Sequence, residues 1–233
     1  PSGLPLNCDL AVPALIESLQ QRHRYPHPTT EIRLLETHIS WVLLTGTYAY
    51  KIKKPVNLDF LDFSTLELRR QCCEEEVRLN RRLAPQIYLD VVSITGSLAS
   101  PCIAGDGPAI EFAVRMRQFP QDALARELLN DGRLLPQHLE ALAATLATFH
   151  QDAPATDARS RFGTPQSILE AALQNFDQLS PLLTTAEDVA ALVKLRLWTV
   201  REHNARLAQM EQRRISGAVR ECHGDLHLGN IVL

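Results

Sequence analysis

His223-Gly224-Asp225-Leu226-His227-Leu228-Gly229-Asn230, followed by Ile231-Val232-Leu233, is the stretch on which the reading of this chain turns. It interrupts a long helical pattern with two glycines and a run of polar residues, the composition of a loop. The apolar triplet after it reads as a short strand that anchors the loop. Inside the loop a carboxylate, Asp225, stands five positions before an amide, Asn230. Phosphoryl transfer needs those two chemistries side by side. A carboxylate orients or accepts the hydroxyl proton of the acceptor, and an amide oxygen helps hold Mg²⁺ against the phosphates. A surface turn also favours Gly and Asn, so the earlier part of the chain has to supply the remaining chemistry.

That chemistry is a lysine on a strand, paired with a glutamate on a helix. Tyr50-Lys51-Ile52-Lys53 lies in a β-rich region, after Ile32, Leu34 and Leu35, Ile39 to Leu44, and the turn Thr45-Gly46-Thr47. Together these form an antiparallel meander stopped by Pro55. Lys51 and Lys53 are two apart and share a strand face, so either can be the cation. Lysines protecting a solvated edge strand are the alternative. A long helix then begins at Asp62-Phe63-Ser64-Thr65, with Ser64 as expected cap and Glu67 three residues on, and runs to Leu83. Positions 72, 76, 79 and 83 step by four, three and four, which puts Glu76 within an apolar stripe of Cys72, Cys73, Leu79 and Leu83. A carboxylate there needs a cation, and a lysine of that strand would supply it.

Tyr88 to Thr95 and Ala109 to Met116 read as two more strands, giving an expected five-stranded sheet. The glycine- and proline-rich segment between them reads as a loop. After Phe119-Pro120 the pattern is helical, with Leu139, Leu142, Leu146 and Phe149 on one face and further helices over Gln166–Leu179 and Ala186–Met210. The fold class is therefore α+β with two lobes. Residues 1–30 are expected as an N-terminal helix (Val12 to His23) and linker, 31–117 as the sheet lobe, and 118–233 as an incomplete helical lobe. The hinge falls near Met116 to Pro120.

Composition sets the limits. The chain has 233 residues, 45% apolar and 22% charged, with 24 Lys and Arg against 27 Asp and Glu, a net charge of −3. That balance argues against a nucleic-acid binder, and no apolar run is long enough to span a membrane. Pro1 to Leu10 lacks the basic flank and apolar stretch of a secretory leader. Five cysteines without metal-type spacing read as reduced thiols, hence a cytoplasmic location. Cys222 is expected to face a core.

The loop His-Gly-Asp-x-x-x-x-Asn resembles the catalytic loop of the aminoglycoside phosphotransferase and choline-kinase group, whose fold is protein-kinase-like. The resemblance implies Asp225 as catalytic base, Asn230 as metal ligand and His223 as a brace. It aligns Lys53 best with the phosphate-binding lysine, leaving Lys51 as rival, and makes Glu76 the partner. It also implies ATP and Mg²⁺ as cofactors, Thr37 and Ser40 in a glycine-free loop over the phosphates, and Met116 to Gln118 at the adenine. Glu36 to Trp41, Ala49 to Val56, Phe60 to Thr65, Leu79 to Pro85, Val114 to Pro120 and Ala144 to Gln151 are similar to a bacterial subgroup in which this domain often precedes a P-loop ATPase domain. The implied activity is ATP-dependent phosphoryl transfer to a hydroxyl of a small molecule. Such folds carry a second metal-binding acid after the catalytic loop, and no GxxxxGK[ST] occurs, so the chain reads as a fragment cut inside the second lobe.

Two other readings stand beside this one. His223, Asp225 and His227 form an H-x-D-x-H array of the kind that ligates a metal in hydrolases. A kinase-like regulatory or sensor module, with the nucleotide pocket kept and transfer weak or lost, is the other. The two cysteines of Cys72-Cys73 read as small buried hydrophobes.

Overall fold

Strand β3 (Tyr48–Lys53) shows why a sheet forms here and why its pattern is hard to read from one face alone. Tyr50 and Ile52 turn to one side and Ala49, Lys51 and Lys53 to the other, and both sides are covered. The computed structural model describes residues 8–58, 61–157 and 159–233. The segment Pro1–Asn7 and Phe60 lie outside the described residues.

The sheet has six antiparallel strands in the order β1-β2-β3-β8-β6-β7. They are β1 (Arg33–Glu36), β2 (Ser40–Leu44), β3, β6 (Tyr88–Ser97), β7 (Ser100–Ile103) and β8 (Ala109–Arg117), and β4 (Asn57–Leu58) and β5 (Leu61–Asp62) make a separate small hairpin. The expected count of five is corrected by β7. Its Pro101 and the flanking glycines read as loop, yet an edge strand tolerates proline, and β7 pairs only with β6.

One face of the sheet packs on helix α1 (Cys8–Ser18). Val12, Leu15, Ile16 and Leu19, just past its end, are buried with Leu43, Tyr50, Ile52, Ile94 and Ile103. The N-terminal helix is thus part of the core and ends five residues before the expected His23, because residues 19–21 form a turn. The other face packs on α2 (Leu66–Asn80), whose buried residues are Arg69, Cys73 and Val77, with Leu44, Ala49, Val114 and Met116 opposite. Thr65, not Ser64, caps α2 and accepts from the Leu68 amide. The Ser64 amide is taken by Asp62 Oδ1 one step earlier. The helix stops at Asn80 rather than Leu83, where residues 81–83 tighten into turns.

Beyond the sheet come α3 (Ala125–Asn130), α4 (Pro136–Asp152), α5 (Pro165–Leu179) and α6 (Ala186–Ile215). Two compact units result: the described residues up to His138 together with Asp225–Leu233, and Leu139–Gly224. The division lies beyond the composition shift at Met116–Pro120, since residues 123–125 hydrogen-bond to the end of the chain. The Ala125 amide donates to Ile231 O, the Leu233 amide donates to Ala123 O, and Leu124 bridges Val232. In the helical unit α5 and α6 run antiparallel, with Arg196 paired to Asp177 and His203 Nε2 2.8 Å from Pro165 O. The fold is α+β, an antiparallel-sheet unit and a helical unit, as expected of a protein-kinase-like chain. Among the described residues no helix is long and apolar enough to cross a membrane.

Candidate functional site

Lys51, Lys53 and Glu76 meet between β3 and α2. Lys51 Nζ donates to Glu76 Oε1 at 2.8 Å, and Lys53 Nζ donates to Oε2 of the same carboxylate. β3 brings the two lysines to the α2 face because they stand two apart, and α2 brings Glu76 to the same place because it lies three residues after buried Cys73. Burial pushes the Glu76 carboxyl up, but the two ammonium groups, Lys51 first, more than reverse this and hold it below the ordinary carboxylate value. Burial acts against the charge of Lys51, and Glu76 overcomes it, so its ammonium titrates above the usual lysine range.

A second ion pair lies alongside and was not legible in the sequence. The guanidinium of Arg69 meets Glu111 side-on, Nε at 3.0 and 2.9 Å from the two carboxylate oxygens, while its Nη1 donates to Phe63 O at 2.9 Å. It ties the start of α2 to β8, and Glu111 is buried so deeply that its carboxyl is pushed up despite the arginine. The only sequence signal was an arginine in register with Cys73 and Val77 on the buried face, a position where arginine ordinarily counts as surface.

Asp225, His227 and Asn230 form the second group. Gly224 adopts a φ of +78°, a left-handed turn that lets the chain enter the loop. The side chain of Asn230 donates from Nδ2 to Asp225 O at 2.9 Å and to Asp225 Oδ2 at 3.1 Å. That commits the amide nitrogen to the carboxylate and leaves Oδ1 as the atom suited to a cation. His227 Nδ1 accepts from the Gly229 amide at 3.1 Å and so caps the short turn carrying Asn230, with Nε2 3.8 Å from Asp225 Oδ2. Asp225 and Asn230 are exposed, open to a ligand from solvent. Both groups belong to one compact unit, that of the sheet. Asp225 and Asn230 supply hard oxygen donors of the type Mg²⁺ takes, and the lysine pair supplies positive charge of the type a polyphosphate takes.

Other expected site residues are engaged elsewhere. The Thr37 hydroxyl donates to Ser40 O and accepts from the Ser40 amide, closing the β1–β2 turn on itself. Ser40 is fully buried, its Oγ without a hydrogen-bond partner. Met116 is buried in the α2-side core, and Gln118 serves the β2–β3 turn: its amide donates to Thr47 O and its Oε1 accepts from the Gly46 amide at 2.9 Å. His223 falls in the helical unit. Among the described residues no three His, Cys, Asp or Glu gather to hold a metal, so the H-x-D-x-H array does not close into a metal centre. One of its imidazole nitrogens is already spent on the Gly229 amide.

Cys72, Cys73, Cys102 and Cys222 are free thiols. Cys73 is sealed in the core, and burial pushes its thiol up to about 12, so it packs rather than reacts. Cys222 is exposed rather than core-facing, because the chain around it is irregular instead of a strand.

Two similar proteins are uncharacterized protein Rv2004c of Mycobacterium tuberculosis and uncharacterized protein Mb2027c of Mycobacterium bovis, each 38% identical over 130 residues. The match covers 54% of this chain and 24% of theirs, so the chain spans about a quarter of the length of these curated relatives. No solved structure matches it. The profile of the phosphotransferase enzyme family matches residues 65–233, from the cap of α2 through the Asp225 loop to the last residue, and the chain belongs to that family.

Proposed function

We propose that this chain is the catalytic part of an ATP-dependent phosphotransferase acting on a hydroxyl of a small molecule. The observation that carries the reading is the contact between Asp225 and Asn230, a carboxylate and a carboxamide held together in a solvent-open loop. This loop shares a compact unit with the Lys51–Glu76–Lys53 cluster.

Each group has a task in that chemistry. The acceptor hydroxyl oxygen attacks the γ-phosphorus and passes its proton to the Asp225 carboxylate, while the bond to the β–γ bridging oxygen breaks and ADP departs. Asn230 Oδ1 would hold Mg²⁺, which when bound neutralises charge on the phosphates. The ammonium charge held at Glu76 orients the phosphates, and His227 fixes the turn that presents Asn230. Positioning and electrostatics carry the rate, since a loose phosphoryl transition state asks for little covalent help.

Asp225→Ala tests the reading. Turnover, followed as ADP release with a panel of hydroxyl acceptors, falls by roughly 10²- to 10⁴-fold while nucleotide affinity is kept. Turnover at the wild-type rate would remove Asp225 from the role of base.

A further inference from the structure

Two lysines close on one carboxylate, and their surroundings differ. The Lys53 side chain is 6% exposed. It lies against Phe63, whose ring centroid is 5.3 Å from the ammonium, and its neighbour across the sheet is the fully buried Ser40. The Lys51 side chain is 27% exposed and reaches Glu76 from the part of β3 paired with Val114. The third partner, Glu76, is 12% exposed and spends one oxygen on each lysine.

Charge and access together separate the roles. One carboxylate balances one ammonium, so the cluster carries one positive charge beyond what Glu76 requires. A surplus charge held largely out of water is costly, and a polyphosphate is the kind of anion that would take it up. To deliver Lys53 to such an anion, the packing of Phe63, which is 2% exposed, would have to open. Lys51 can turn outward along its exposed side while Lys53 keeps Glu76 paired. With a single lysine, engagement of the phosphate would leave the glutamate sharing its only cation. With two, Glu76 is never left unpaired in the interior, a situation that ordinarily costs several kcal/mol.

We propose that Lys51 is the cation that meets the nucleotide phosphates and that Lys53 is a positioning residue, the buried anchor that holds Glu76 when Lys51 turns away. This rests on the phosphoryl-transfer reading and divides labour inside it. The assignment exchanges the two lysines relative to the alignment that favours Lys53.

The test labels the whole chain with an acyl phosphate of ATP. A lysine amine placed at the phosphates attacks the acyl carbon, an amide forms, and ATP leaves, so the acylated residue can be located by peptide mass spectrometry. Label is expected on Lys51, suppressed by excess MgATP, and absent from Lys53. In Lys53→Met, Lys51 is held as the sole partner of Glu76, and its labelling rate drops about tenfold while the circular dichroism spectrum is kept. Lys53→Arg restores the rate, because an arginine can again anchor the carboxylate. Label on Lys53, alone or beside Lys51, overturns the division of labour and leaves the phosphotransferase reading standing. So does an unchanged Lys51 rate in Lys53→Met. Absence of any MgATP-protected lysine label in the wild-type chain removes the nucleotide site itself. Should Lys53→Met fail to fold, the wild-type map and Lys53→Arg still decide the question.

Discussion

Glu76 and Glu111 are both carboxylates held between α2 and the sheet, yet their carboxyls shift in opposite directions. Two ammonium groups hold Glu76 below the ordinary value of 4.5, so its contribution to stability is present above that pH and is lost as pH falls through the lower folded value. For Glu111 burial outweighs Arg69 and the carboxyl sits above 4.5, so its contribution is present below that pH and fades as pH rises through the folded value. Chemical denaturation across pH separates them. Glu76→Gln costs about 3 kcal/mol near neutrality, by analogy with broken buried pairs, and its penalty shrinks below pH 4.5. Arg69→Met costs about 3–5 kcal/mol near neutrality, and acid relieves it as the stranded Glu111 takes up a proton. A Glu76→Gln penalty that grows in acid would contradict the ion-pair account. At this scale the sequence was informative about Glu76, since a glutamate inside an apolar stripe demands a cation. It was silent about Arg69, since nothing local distinguishes a buried arginine from a solvated one.

Among the elements, the β6–β7 hairpin depends on one residue. Gly96 has a φ of +88°, and a Cβ placed there would sit 2.4 Å from the carbonyl oxygen of Ser100. The obstacle is backbone, so it cannot swing aside. Gly96→Ala is expected to cost about 1–3 kcal/mol in thermal unfolding and to free the β7 edge, with faster amide exchange over Ser100–Ile103 as the accompanying sign. The sequence marks this segment with Gly96 and Pro101 and so suggests a loop, because turn residues report a change of direction and say nothing of the pairing that follows. The stripe on α2 is misplaced for a related reason. Helical spacing from Cys72 selects 72, 76, 79 and 83, while the face that packs on the sheet is Arg69, Cys73 and Val77, with a charged residue at its head. The lysine-bearing strand and the glutamate-bearing helix were legible because both patterns are short-range. The long-range links of Gln118 to the β2–β3 turn and of residues 123–125 to the end of the chain were not, since they join segments far apart in sequence.

For the molecule as a whole, burial is unevenly shared. The sheet unit holds both hydrophobic clusters, whereas α4 and α5 contain no buried residue and α6 has only His203. Val193, Leu197 and Trp198 on α6 are 52%, 67% and 52% exposed. Few buried apolar contacts mean low local stability. Limited trypsin digestion should therefore cut within residues 139–224 well before it cuts β2, β3 or β8, with the early fragments identified by mass spectrometry. First cuts in the central strands would refute this ranking.

The attachment of residues 231–233 to residues 123–125 has a consequence during synthesis. A nascent chain finishes the strand and helix that carry Lys51, Lys53 and Glu76, then threads out everything from 139 to 224 before Asp225 leaves the ribosome. At ordinary elongation speeds that interval is on the order of ten seconds. A polypeptide released before Asp225 would carry the ammonium cluster without the carboxylate loop that belongs to the same compact unit.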